Sequence, residues 1–368
     1  MESMVTDKAF WAGKTVLVTG HTGFKGSWLS IWLERLGARV IGFSLPPPEE
    51  PSLFDLTGSG RSVGSHFGDL RNFEHLLNVI RDNRPAIVFH MAAQALVSRG
   101  YEDPIETYST NVMGTVHVLE AVRRADCVDA AVVVTSDKCY ENKEWIWAYR
   151  EIDPMGGYDP YSSSKGCAEL VVSAYTRSFF DAPNRSSKCT MIASVRAGNV
   201  IGGGDWSMNR LVPDVLRALE RGGRVSLRYP RAIRPWQHVL EPLHGYLMLA
   251  ERLASGGSSY SGAWNFGPSL EDERPVVYIV EKLASLWGGT FQWVLEDGVH
   301  PHEAGRLSLD SSKARTYLGW RPAWKLEQAL ERIVEWHKEY LLGKDMRSVC
   351  EAQIDAYENT LGSLEGSI

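Results

Sequence analysis

The chain has 368 residues, 44% of them hydrophobic, with 39 Lys and Arg against 45 Asp and Glu and a formal net charge of -6. That length carries a large core divided between two lobes, and an acidic balance without any basic block excludes a nucleic-acid binder. No apolar run reaches membrane-spanning length, residues 1–12 lack the order of a signal peptide, and Cys127, Cys139, Cys167, Cys189 and Cys350 form no CxxC pair, so membrane, disulfide-framework and metal-site classes fall away and a cytoplasmic protein is expected.

The first predicted unit is strand–loop–helix–strand over residues 13–44. Thr15–Thr19 is a short β-branched run of buried-strand type. The loop from Gly20 to Gly26 follows at once, and then Trp28, Leu29, Trp32, Leu33 and Leu36 recur at helical spacing until Gly37 ends the helix. Arg39–Phe43 is the second strand. Glycines at 20, 23 and 26 let backbone N–H groups approach a pyrophosphate at a helix N-terminus, where the helix dipole favours anions. The spacing is GxxGxxG rather than GxGxxG, and a tight βα turn in some other α/β protein is the competing reading.

The βα alternation continues. LPPPEEPSLF is a Pro-rich loop, expected to be extended and exposed. Arg71–Asp82 is a predicted helix, Ala86–His90 a strand leading into Met91-Ala92-Ala93-Gln94, and Pro104 to Arg124 a long helix. Ala131–Thr135 is a strand, Trp145–Tyr158 an aromatic, Gly- and Pro-containing loop, Tyr161–Phe180 a second long helix and Met191–Val195 a further strand. Strands separated by helices imply a doubly wound parallel sheet, with ligands held outside the C-terminal strand ends. Past residue 198 the pattern becomes mixed. Asn199–Arg210 is a Gly-rich loop, Val225–Leu227 is strand-like, and Leu211–Glu220, Glu241–Ala254, Pro275–Leu286, Leu326–Tyr340 and Met346–Leu361 are helical. Trp145, Trp147, Trp206 and Trp236 fall in polar, loop-like stretches.

The middle of the chain carries the chemistry. Tyr161 and Lys165 stand four apart, on one face of a helix. An ammonium beside a phenol lowers its pKa and lets tyrosinate act as a base near neutral pH, although an ordinary surface Tyr/Lys pair has the same spacing.

The glycine loop near the start and YxxxK in the middle together resemble the extended short-chain dehydrogenase/reductase family, over most of the chain. Asp69-Leu70 looks like the family's adenine-contact position, His90-Met91-Ala92-Ala93 like the loop beside the nicotinamide, and Asn111-Val112-Met113-Gly114-Thr115 like a family helix motif. Arg196-Ala197-Gly198-Asn199-Val200 and Gly202-Gly203-Gly204-Asp205-Trp206 resemble the nucleotide-sugar loop, while Asn265-Phe266-Gly267 and Leu318-Gly319-Trp320 resemble small-lobe landmarks. After the strand at 131–135 come Ser136-Asp137-Lys138, where simple epimerases of the family have no acid and 4,6-dehydratases carry hydroxyl–acid–acid. With TGHTGFKGSWL and MGGYDPYSSSK, this Ser-Asp-Lys is most similar to the 4,6-dehydratase branch acting on hexoses carried by cytidine diphosphate.

The resemblance implies an α/β fold, a doubly wound parallel Rossmann-type sheet with a smaller mixed α/β C-terminal substrate lobe. Residues 1–197 would bind the dinucleotide, with a returning segment near 233–255, and 198–368 would mainly form the substrate lobe. It implies hydride transfer from sugar C4 to NAD, loss of water across C5 and C6, and return of the hydride to C6. Tyr161 would be the C4 base, Lys165 its tuner and ribose anchor, Ser136 a hydrogen-bond partner of the C4 oxygen, Asp137 the acid at the 6-OH and Lys138 the base at C5. Cofactor contacts would come from Gly20, Thr22, Gly23, Phe24, Lys25, Gly26, Ser44, Asp69, Leu70, Ala92, Ala93, Tyr161 and Lys165. Substrate contacts would come from Gln94, Asn199, Arg210, Arg234 and, on the substrate side rather than in the chemistry, His302. No acid follows the second strand at Phe43-Ser44-Leu45 to bind a ribose 2′-OH, and no arginine either; NAD is expected because a 2′-phosphate would need more positive charge than Lys25. No metal, nucleic acid or membrane partner is expected, and relatives pair as homodimers or larger homo-oligomers through helices at about 104–124 and 161–180. A nucleotide-sugar 4-epimerase and a non-catalytic dinucleotide sensor are the rival functions.

Overall fold

The computed structural model describes residues 6–47, 50–180, 190–288, 291–298 and 303–365. His302 and Cys189 lie outside the described residues. The strands, in chain order, are β1 (Thr15–Thr19), β2 (Arg39–Ser44), β3 (Gly64–Phe67), β4 (Ile87–His90), β5 (Ala130–Val134), β6 (Met191–Ala197), β7 (Asn199–Ile201), β8 (Arg224–Leu227), β9 (Ile233–His238), β10 (Gly262–Phe266), β11 (Glu273–Pro275) and β12 (Gln292–Leu295). Seven of them form one sheet in the order β10-β6-β5-β4-β1-β2-β3. Every pairing in it is parallel. The order reverses between β1 and β4, which opens a crevice at their C-terminal ends.

The inner strands β1, β4, β5 and β6 are largely apolar because both faces are covered, whereas the edge strand β3 is half-exposed. Val16, Val18, Ile87, Phe89, Ala130, Val132, Ala193 and Val195 enter one core, shared with helices Phe24–Arg35 and Leu240–Gly256. Leu17, Val88, Ala131, Val133 and Ile192 enter the other, shared with helices Phe73–Asn83 and Gly114–Ala125. Each fully buried Val, Leu or Phe contributes about 1.5–3 kcal/mol, so the strand exits that carry the site are among the most firmly fixed backbone in the molecule. A third core joins helices Leu211–Glu220, Val276–Trp287 and Leu326–Leu341 over β8 and β9.

The chain returns from this smaller assembly to the first lobe twice. Helix 240–256 and β10 complete the large sheet, β10 pairing with β6 from Gly262↔Ala193 to Phe266↔Ala197. Helix Met346–Glu365 then docks on the helix that follows the glycine loop, where Trp32 Nε1 donates to Glu358 at 2.7 Å and Arg347 pairs with Glu34 at 2.9 Å.

Several local expectations change. The LPPPEEPSLF stretch is not wholly extended and exposed: Leu53–Leu56 is a helical turn capped by Ser52, with Leu53 and Phe54 buried. Each predicted long helix carries a π-turn, at Ser109–Met113 and at Thr176–Phe180. The first turns Asn111 inward, where its amide donates to Ser164 Oγ at 2.8 Å and to the Gln94 carbonyl at 3.0 Å, joining two elements of the site. The Gly-rich loop at 199–210 begins as a strand, β7, and Trp236 lies buried in β9 with Nε1 donating to the Arg274 carbonyl at 2.9 Å. Among the described residues no helix is long and apolar enough to cross a membrane.

Candidate active site

One cavity of about 1200 Å³ runs along the C-terminal strand ends. The glycine loop forms one wall. Gly20 has φ of +76°, and a Cβ there would stand 2.7 Å from the Ala92 nitrogen. A Cβ on Gly26 would stand 2.1 Å from the Gly20 carbonyl oxygen. The loop thus packs against Ala92 and against its own helix, and presents the helix N-terminus at Gly23 and Phe24 to the cavity. These residues fit a pyrophosphate-bearing cofactor: the cradle is one that side chains would fill.

Around it, Thr22 Oγ1 and Ser44 Oγ lie 2.5 Å apart, and Thr22 donates to the Leu45 carbonyl at 3.0 Å. The end of β2 is therefore a hydroxyl pair rather than a carboxylate. Asp69, Leu70 and Ala93 line the same cavity. The Asp69 carboxylate is already engaged by Arg71, whose hydrogen bonds pull its pKa down, so only the rest of Asp69 is open to a ligand. Gln94 also lines the cavity, yet both ends of its amide are used internally, donating to Thr107 Oγ1 at 2.9 Å and accepting from the Leu96 nitrogen at 2.5 Å.

The candidate catalytic side chains meet at the exit of β5 and at the start of helix Pro160–Tyr175. Asp159 caps that helix and Pro160 opens it, which fixes Tyr161 and Lys165 on its inner face, both buried. Ser136 Oγ donates to Asp137 Oδ1 at 3.0 Å and accepts from the Lys138 nitrogen at 3.2 Å, a short turn that sets all three side chains. Ser136 stands close enough to Tyr161 to act on its phenol. Lys138 is half-buried beside them and lines the cavity.

Burial dominates the electrostatics. It pushes Asp137 above the usual carboxylate range against the opposing Lys138 charge, the Ser136 hydrogen bond and the Arg234 charge, and Asp137 Oδ2 is buried with no hydrogen-bond partner. Burial also lifts the Tyr161 phenol to about 12, opposed by the Ser136 hydrogen bond and by Arg210 and reinforced by Asp137. Lys165 is not among the charges that weigh most on that phenol. Its Nζ reaches the Val134 carbonyl at 3.4 Å, and burial lowers it to about 8 while Glu169 and Cys139 hold it up. The groups that oppose the rise at Tyr161 most are Ser136 and Arg210, while Lys165 lies on the same helix face with its Nζ directed into the β5 exit.

Lys25 turns inward as well. Its Nζ is 3.4 Å from the Tyr246 hydroxyl, and burial, with Lys165 and Arg210 nearby, lowers it to about 7. On the substrate side, Asn199 lines the cavity from the start of β7, Arg210 pairs with Asp205 at 3.0 Å, and Arg234 projects from β9. Sequence reasoning passed over Arg228, Tyr229 and Glu303, which line the same wall. For Arg228 and Tyr229 the position directly after β8 was the available signal, since informative residues in this architecture follow strands; Glu303 had none.

A parallel doubly wound sheet with a glycine loop, and a Tyr/Lys helix facing the β5 exit, defines an extended short-chain dehydrogenase/reductase. More narrowly, the chain belongs to the NAD dependent epimerase/dehydratase family, whose model matches residues 16–267. It is 56% identical to a CDP-glucose 4,6-dehydratase of Salmonella typhimurium over 95% of this chain and 98% of that one. It is 26% identical to a UDP-glucose 4-epimerase of Halalkalibacterium halodurans over 88% of this chain and 96% of the relative. A dTDP-glucose 4,6-dehydratase from Streptomyces venezuelae, solved with NAD, shares the fold at TM-score 0.73 and 24% identity, covering 90% of this chain and 99% of that one.

Proposed function

We propose that the chain is a sugar-nucleotide 4,6-dehydratase that converts CDP-D-glucose into CDP-4-keto-6-deoxy-D-glucose. The observation that carries this reading is the buried carboxyl of Asp137, raised and with one oxygen unpartnered, beside Tyr161 in the cavity. An epimerase needs Tyr161 and Lys165 and has no use for a proton donor at that place. The 56% identity to a CDP-glucose 4,6-dehydratase supports the same choice.

When bound, NAD supplies a positively charged ring and takes up, then returns, the reducing equivalent at the hexose. Gly20, Gly23 and Gly26, with the helix N-terminus, would hold its pyrophosphate, and Lys165 its ribose. Tyr161 takes the proton from the 4-OH, helped by Ser136 and Arg210, which favour the phenolate. The ketone formed at C4 acidifies the C5 proton. Lys138 removes that proton, and Asp137, whose burial favours the protonated carboxyl, delivers a proton to the departing 6-OH. Asn199, Arg210 and Arg234 hold the diphosphate, an amide and two guanidiniums suited to phosphate oxygens.

The deciding experiment incubates the enzyme and NAD with CDP-, dTDP-, UDP- and GDP-glucose and scores each product by mass. Loss of one water from CDP-glucose alone is expected. Conversion to an isomer of unchanged mass establishes the epimerase instead, and bound cofactor without turnover of any sugar nucleotide establishes a sensor. Lys138→Ala is expected to block solvent-deuterium exchange at C5 while C4 oxidation persists; unchanged exchange removes Lys138 from the base role.

The same reading places the enzyme in the cytoplasm, with Cys127, Cys139, Cys167 and Cys350 as thiols, and pairs two copies through the helices at 104–125 and 160–180. Leu170 is 61% and Ile105 81% exposed on those helices. Leu170→Glu should halve the mass seen by light scattering, and an unchanged mass puts the contact elsewhere.

A further inference from the structure

One carboxylate stands among the arginines of the substrate wall. Glu303 Oε2 lies 3.4 Å from Arg234 Nη2, and Glu303 Oε1 lies 3.3 Å from Arg228 Nη2. Arg234 is nearly buried on β9, and its other terminal nitrogen donates to the Ile233 carbonyl at 3.0 Å. Arg228 and Glu303 are about a third exposed, with side-chain exposures of 36% and 29%. All three line the cavity that holds Tyr161 and Asp137. Arg234 is close enough for its charge to act on Asp137, and Glu303 close enough to act on Tyr101. The bridge therefore lies on the wall of the same cavity as Tyr161 and Asp137.

A carboxylate that gives one oxygen to each of two guanidiniums copies the way a phosphate is held. Each contact here is a single long one, not a bidentate fork, and one partner is open to solvent. Such pairs are weakly held. A diphosphate brings more charge and more oxygens to the same two side chains. Without Glu303, two guanidiniums would face one another across the pocket with no counter-charge.

We infer that Glu303 is an internal counter-ion that occupies Arg228 and Arg234 in the absence of substrate and is displaced by the diphosphate of the incoming sugar nucleotide. Arg228 thereby joins Arg234 as a diphosphate contact. The exchange gives the site a selectivity that no base contact supplies. Any ligand pays the loss of the bridge, and only one carrying phosphates regains it from the same arginines. This deepens the sugar-nucleotide reading and rests on it.

The test is calorimetric titration of CDP and of cytidine into the NAD-loaded enzyme, for the parent and for Glu303→Gln. CDP should bind the variant about fivefold more tightly, since two weak ion pairs no longer compete with it. Cytidine, which has no phosphate, should bind both proteins alike. Weaker CDP binding by the variant overturns the inference, because Glu303 would then be organising the arginines rather than competing for the ligand. Unchanged CDP binding also overturns it, and with weaker CDP-glucose binding it assigns Glu303 to the hexose. Glu303→Ala repeats the comparison without an amide that could bond the arginines in its turn. Should the parent bind dTDP, UDP or GDP in place of CDP, the base assignment fails, and the sign of the Glu303 effect is then read with that nucleotide.

Discussion

Two buried carboxylates serve the site, Asp137 facing the helix that carries Tyr161 and Lys165 and Glu169 on that helix itself, and their pKa values are pushed in opposite directions. Asp137, at the exit of β5, takes one hydrogen bond from Ser136 and leaves Oδ2 without a partner; burial wins and its pKa rises. Glu169, one helical turn beyond Lys165, accepts from Ser194 at 2.7 Å, from Arg196 at 2.8 and 2.9 Å, and from Thr135. Burial would raise it too, but the Arg196 bonds and charge outweigh that and hold it below its ordinary value. Depth is the same in both cases; the number of donors and a guanidinium bonded directly to the carboxylate decide the direction. Burial favours the protonated form of one carboxyl, and the other ties β5, β6 and the Tyr161 helix together.

Breaking the paired side should have the largest effect. Arg196→Met strands the Glu169 charge and also removes the bond to the Tyr140 hydroxyl at 2.7 Å. A loss of about 3–5 kcal/mol in urea unfolding is expected; a change below about 1 kcal/mol would mean that the pair matters little to the fold. Next comes the unpaired side. Asp137→Asn should slow dehydration about 10²- to 10³-fold. Deuterium exchange at C5 should continue, because the amide removes only the proton donor for the 6-OH. Loss of C5 exchange together with dehydration would show that Asp137 acts before the C–O bond breaks.

Glu241 sharpens the comparison as an intermediate case. It is fully buried, with donors at the Ala323 and Trp324 nitrogens and the Tyr357 hydroxyl but no cation, and burial lifts it to about 7 against those bonds. Between its ordinary value of 4.5 and about 7 it binds a proton in the fold that the unfolded chain releases, so its contribution to stability falls as pH rises through that window. Glu241→Gln lacks this dependence. Its stability relative to the parent should improve by about 2 kcal/mol between about pH 5 and about pH 8, read from unfolding at each pH. A constant difference would show that Glu241 stays ionised. The smallest effect belongs to the surface. Arg99 pairs with Glu102 and Glu106 while about half exposed. Arg99→Ala should leave the urea-unfolding midpoint unchanged within error, against the clear loss expected at Arg196.

What could be read in advance was contiguous. Gly20 to Gly26 lies between a strand and a helix that the sequence itself marks, and Ser136-Asp137-Lys138 and Tyr161–Lys165 are each a single turn of chain. The roles inside those motifs were less accessible. Spacing puts Tyr161 and Lys165 on one face but does not say that Lys165 is directed to the Val134 carbonyl. Nor does it say that Lys25 reaches Tyr246, 221 positions away in the chain. β9 was passed over because Ile-Arg-Pro-Trp-Gln-His has no strand-like alternation, and β10 because its partner β6 is distant in sequence.

The amino-acid sequence by itself determined the α/β alternation, the glycine cradle and which titratable side chains stand in the candidate site. These follow from side-chain period, backbone freedom at glycine and the chemistry of single residues, all of which are local. Tertiary structure alone decided in which direction each buried carboxyl is pushed, which arginines share a counter-ion and where the smaller lobe meets the large sheet. Charge state in a protein interior depends on desolvation and on donors gathered from elements far apart in the chain, and only the folded arrangement brings those donors within reach.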